Sequence, residues 1–157
     1  MRANDEKDRF LRNLKLALIA LAGMQTTCMA TASAQDLDGI DPIAIFENMP
    51  EPAHAGFETV NGLQMHYQIH GDDGAPLVLL HGGLMTIEAL GPLLPALAET
   101  RTVYALELEG HGRTRSLDRP LSLRQFADDV AGFIAQRGLS PVDVVGFSMG
   151  GATALGL

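Results

Sequence analysis

Three continuous apolar runs, each broken by glycine at its C-terminal end, constrain this chain more than anything else in it. Residues 77–80 (LVLL) run into His81-Gly82-Gly83, residues 102–108 (TVYALEL) into Gly110-His111-Gly112, and residues 141–147 (PVDVVGF) into Ser148-Met149-Gly150-Gly151. A run without polar alternation suits a strand buried on both faces, as in a parallel sheet. Between the runs lie two helical spacings: Ile87, Leu90, Leu94 and Leu97, then Leu123, Phe126, Val130, Phe133 and Ile134 on one face. Strands alternating with helices require crossover connections, hence a mostly parallel sheet with helices on both sides. The fold class is α/β.

Punctuation supports the same division. Phe57 and Thr59, then Leu63, Met65, Tyr67 and Ile69, alternate with polar residues around Asn61-Gly62, the preferred two-residue turn. Residues 56–70 are therefore predicted to be an antiparallel hairpin with one buried face. Thr86 is placed to cap the first helix, which Gly91-Pro92 and Pro95 should kink or divide. Ser122 with Gln125 forms a capping box for the second, and Gly138 ends it.

The first 34 residues differ in kind. Arg2, Lys7, Arg9, Arg12 and Lys15 outnumber Asp5, Glu6 and Asp8, and residues 16–24 (LALIALAGM) are too few to span a bilayer. Ala32-Ser33-Ala34 follows, so residues 1–34 are expected to be a secretory signal peptide and the protein exported, periplasmic or secreted. Cys28, the only cysteine, would leave with it, removing any disulfide or zinc-thiolate framework. Residues 35–55 read as a leader or linker segment and 56–157 as part of one α/β domain. From residue 35 onward six arginines face 16 acids, 6 − 16 = −10, against −8 for the whole chain. Such a surface disfavours nucleic acid and, once the signal is gone, stable membrane insertion is not expected. A small-molecule substrate is the expected partner.

The chemistry concentrates at the glycine breaks. In Gly146-Phe147-Ser148-Met149-Gly150 a sharp strand-to-helix turn lifts the Ser148 hydroxyl off the sheet, and small residues two positions away avoid clashes. Ser148 is the candidate nucleophile, and the Met149 N–H faces a developing oxyanion. The loop at His81-Gly82-Gly83 can supply a second donor from Gly83, or from Leu84 one residue on. His81 is expected to order that loop rather than act as the base. Gly110-His111-Gly112 reads as a tight turn, since no second ligand stands at metal spacing; no metal site is expected. His54, His66 and His70 form no cluster in sequence and read as solvated or packed side chains.

These elements, HGG, EGHGRT and GFSMGG in that order behind a hairpin, resemble the N-terminal half of the α/β-hydrolase fold, from about Gly56 to Leu157. The resemblance is to the serine esterase and lactonase branch and implies hydrolysis of an ester, lactone or related carbonyl without a cofactor. Dehalogenases and epoxide hydrolases of this fold carry aspartate at the elbow, so Ser148 argues against both. Glu107 stands where many relatives have Asp, and Thr114 where many have Ser; both are expected to be structural. The family's triad runs Ser, then Asp or Glu, then His. No histidine follows His111. Asp128 and Asp129 are expected on the outward face of a helix and Asp143 at the far end of its strand, so none substitutes for the acid. The expectation is a partial domain, inactive as given, whose third strand is paired on its far side by a strand beyond these residues. Alternatives are cofactor-free perhydrolase or haloperoxidase-like chemistry, or a non-catalytic homologue that binds a ligand or partner.

Overall fold

The computed structural model describes residues 49–157. The signal-peptide reading of residues 1–34, and the leader reading as far as residue 48, lie outside the described residues. Five strands form one mixed sheet: β1 (His54–Val60), β2 (Leu63–His70), β3 (Pro76–Leu80), β4 (Thr102–Leu106) and β5 (Asp143–Gly146), ordered β1-β2-β4-β3-β5. β3 is parallel to β4 and to β5, while β1 and β2 form the antiparallel hairpin. The hairpin starts at His54, two residues earlier than the alternation suggests. Asn61 (φ 51°) and Gly62 (φ 84°) make its turn.

Two helices cover opposite faces. α1 (Leu93–Ala98) follows a 3₁₀ turn at Glu88–Leu90, and the break between them falls at Gly91-Pro92 as the sequence indicates. Pro95 is accommodated in the first turn of α1, where a missing N–H costs nothing. Thr86 is not the cap: Ile87 holds that position without a side-chain hydrogen bond. α2 (Leu123–Gln136) is capped by Ser122, whose Oγ accepts from Gln125 N–H at 3.1 Å. The Gln125 side chain turns instead to Asp129, so only half of the capping box forms. α3 (Met149–Ala154) opens at Ser148.

The core is split by the sheet. Val78, Leu80 and Leu106 meet Leu63, Met65 and Tyr67 of the hairpin and Phe126, Val130 and Phe133 of α2 on one side. Leu77, Leu79, Val103 and Ala105 meet Ile87, Leu90 and Leu94 on the other. Strand parity explains this, since successive residues of β3 and β4 serve opposite faces.

The same parity corrects the reading of β1. Phe57 pairs with His66, so Phe57 and Thr59 lie on the face opposite Leu63, Met65 and Tyr67, and both are exposed. Val60 is the buried residue of β1. The polar face of β2 is buried as well: His66, Gln68 and His70 are all covered. β5 lies at the edge of the described sheet, with Asp143 and Val145 exposed. Leu123, at the start of α2, is also exposed.

Candidate functional site

The C-terminal ends of β3, β4 and β5 lie side by side, because Leu80 is in register with both Leu106 and Gly146. Three loops therefore meet at one edge: 81–87, 107–114 and 147–149. Phe147 N–H donates to the Leu80 carbonyl at 3.0 Å, stitching the third loop to the first.

At the β5–α3 junction the backbone is strained. Ser148 has φ 51° and ψ −112°, a conformation that side-chain-bearing residues rarely adopt. The neighbouring glycines make it possible. A Cβ on Gly146 would run into the Gly150 carbonyl, and one on Gly150 would lie 2.5 Å from the His81 carbonyl oxygen. Gly150 thus sets how closely α3 approaches β3, and a Cβ on Gly151 would come within 3.0 Å of the Gly146 carbonyl oxygen. Ser148 is exposed. Its hydroxyl has no hydrogen-bond partner among the described residues, and the N–H groups of Met149, Gly83 and Leu84 donate to none of them. Gly83 lies against Met149: a Cβ there would be 3.8 Å from the Met149 sulfur. The residues named as nucleophile and oxyanion donors are therefore brought to one place.

His81 is fully buried, with both ring nitrogens engaged. Nδ1 is 2.7 Å from the Gly82 carbonyl and so carries the proton, while Nε2 accepts from Leu108 N–H at 3.0 Å. Burial is the main influence lowering its pKa, which keeps the ring neutral. A ring so occupied cannot take a proton from Ser148. It ties the first loop to the second. His111 Nδ1 donates to the Glu109 carbonyl at 2.9 Å, and its ring packs on His81.

The second loop folds around Glu107, whose carboxylate is fully buried. It accepts from Arg113 N–H (2.6 Å) and Arg113 Nη1 (2.8 Å), and Gly112 leaves room for it, since a Cβ there would run into the carboxylate. Arg113 Nη2 also donates to Glu88 at 2.7 Å, bridging the second loop to the 3₁₀ turn that follows the first. Burial would raise the Glu88 pKa, but hydrogen bonds from Arg113 and Thr86 outweigh it and hold the carboxyl at about 2. Thr114 Oγ1 accepts from His66 N–H at 2.9 Å.

Asp128 is exposed, as the helical pattern indicates; Asp129 is not. It is fully buried and accepts from Arg119 (2.6 Å), Asn61 (2.9 Å) and Gln125 (3.2 Å). Arg119 also holds buried Glu109 at 2.5 Å. Asp143, at the N-terminal end of β5, pairs with Arg101 at 2.6 Å, away from Ser148. Apart from Gln125, four residues before Asp129 on α2, the partners come from separate elements, and nothing local in the sequence marks those pairings. A cleft of about 330 Å³ lies beside His66, Gln68, Glu88 and Arg113 rather than over Ser148. Among the described residues no group of His, Cys, Asp and Glu could hold a metal, and no helix is long and apolar enough to cross a membrane.

Residues 77–157, which hold all three loops, match the model of the alpha/beta hydrolase family. The chain belongs to the alpha/beta hydrolase family. The soluble epoxide hydrolase of Corynebacterium sp. (strain C12) is 38% identical over 95 residues, 60% of this chain and 33% of that protein. The (E)-2-((N-methylformamido)methylene)succinate hydrolase of Acinetobacter baylyi is 34% identical over 97 residues, 62% of this chain and 36% of that one. The enol-lactonase of Burkholderia xenovorans LB400 superposes with a TM-score of 0.59 at 27% identity, covering 62% of this chain and 38% of it. All three are hydrolases. This alpha/beta hydrolase chain spans about a third of the length of the curated relatives it matches.

Proposed function

We propose that this chain carries the nucleophile and oxyanion elements of a serine hydrolase acting on an ester, lactone or related carbonyl. The observation that carries this reading is the strained Ser148 with Gly146 and Gly150 packed around it. Strain of one to three kcal/mol survives only where the surroundings enforce it, and such residues cluster at active sites.

Ser148 Oγ attacks the carbonyl carbon as its proton passes to a histidine. The family order places that histidine, and the acid that orients it, after the nucleophile; His81 is already engaged through both nitrogens. Charge developing on the carbonyl oxygen is met by the Met149 and Gly83 N–H groups, each donor worth about 3 kcal/mol in the transition state. The leaving alcohol takes the proton, and water then attacks the acyl-enzyme by the same route. Neither metal nor organic cofactor enters these steps. Similarity to an epoxide hydrolase does not favour epoxide opening here, because the elbow holds serine where epoxide-opening members of the fold carry aspartate. Export, directed by residues 1–34, belongs to the same proposal.

The test is labelling of the protein, as its gene encodes it, with a fluorophosphonate probe, beside Ser148→Ala. Labelling that disappears in the variant supports the reading. A folded protein that resists the probe, with Ser148 unmodified, overturns it and moves the assignment to a non-catalytic ligand-binding homologue.

A further inference from the structure

Residues 82–85 form a turn closed by Met85 N–H on the Gly82 carbonyl at 3.3 Å. Its third corner, Leu84, has φ 60°, in the left-handed region where type II turns carry glycine. The sequence puts glycine one place earlier, at Gly83, whose φ is not positive and where a Cβ would meet only the Met149 sulfur at an ordinary 3.8 Å. The turn therefore carries leucine where its backbone favours glycine, and glycine where its backbone needs none. Leu84 does not offset its strain by burial among the described residues, where its side chain is fully exposed (101%). The base of the turn is fixed, because Gly82 is wedged against Met85 and Phe147, so Leu84 is held at the tip. Local choices that break a local rule without structural gain point to function.

We infer that Leu84 is a specificity-determining residue, an apolar wall beside Ser148 that selects substrates with an aliphatic acyl or leaving group, while Gly83 leaves space over Met149 for that group. This rests on the serine-hydrolase reading. Leu84 and Ser148 are the two non-glycine residues with positive φ among the described residues apart from Asn61 in its hairpin turn, and they flank the same pair, Gly83 and Met149. An aliphatic chain laid along Leu84 gains burial for both, whereas a charged group there would lose hydration against leucine.

The experiment compares kcat/KM for p-nitrophenyl acetate and p-nitrophenyl octanoate in the protein as its gene encodes it and in Leu84→Gly. Glycine accepts φ 60° without strain, so the variant should melt no lower than the parent. The octanoate-to-acetate ratio is expected to fall about tenfold or more, through a higher KM for octanoate. An unchanged ratio overturns the inference while leaving the hydrolase reading intact. A lower melting point with an unchanged ratio overturns it too, by showing that Leu84 packs against protein. No turnover of either ester by the parent, together with no Ser148-dependent labelling, overturns the hydrolase reading and the inference with it.

Discussion

Replacing Ser148 by glycine and, separately, by alanine isolates the strain at the elbow. Both remove the hydroxyl, and with it the fluorophosphonate labelling that the proposed function expects, but only glycine relieves the backbone at φ 51° and ψ −112°. The strain released is about 1–3 kcal/mol. Against it stands the greater freedom of glycine in the unfolded chain, about 0.5–1 kcal/mol relative to alanine. The difference leaves Ser148→Gly more stable than Ser148→Ala by roughly 1 kcal/mol. Because the side chain is exposed and makes no hydrogen bond among the described residues, loss of packing should not blur the comparison. Urea titrations of the two variants read the difference as a shift in midpoint at constant slope. At an unstrained site the order reverses, with alanine the more stable. That reversed order would refute the strain, and with it the main support for Ser148 as the nucleophile.

Three further outcomes follow from the same geometry. Gly150→Ala should lower stability by about 2 kcal/mol or more, since its Cβ would meet backbone atoms of Leu80 and His81 that cannot give way; thermal unfolding checks this. Arg119→Met should cost about 3–5 kcal/mol, because it strands the buried carboxylates of Glu109 and Asp129, and adding Glu109→Gln should recover part of the loss. Burial lowers the pKa of His66, His70 and His81 below 6.5, so the unfolded chain takes up protons first as pH falls. Stability is then complete above about pH 6.5 and declines below it, by up to about 1.4 kcal/mol per pH unit for each histidine. A denaturation midpoint flat from pH 7 to 5.5 would contradict that.

The strands and helices were legible because their signals are local. Apolar runs, Asn61-Gly62, Ser122 with Gln125, and Gly91-Pro92 each act within a few residues of themselves. Errors arose where distant groups decide. For His66 and His70 the sequence left open whether they are solvated or packed; Thr114, Arg113 and Glu88, 20 to 48 positions along the chain, help to cover and pair the face they share with Gln68. Asp129 read as an outward helix residue because the arginine that neutralises it lies in the preceding loop. Phe57 was assigned to the wrong face because the two-residue turn pairs it with His66, a register that reverses the side implied by hydrophobicity.

The candidate site was legible for a different reason. Gly146, Ser148 and Gly150 form a pattern with one economical backbone solution, and the structure adopts it. Leu84 illustrates the opposite case. Nothing in its residue type announces a positive φ, and a turn predicted from HGGL would place one of its glycines at that corner. Ser148 and Leu84 thus violate backbone preference in the same small region, on either side of Gly83 and Met149. Chance strain would be scattered over the sheet and its loops. Its convergence beside the Gly83 and Met149 N–H groups is consistent with the proposed site, in which donors to a reacting carbonyl would stand open and preorganised before substrate arrives.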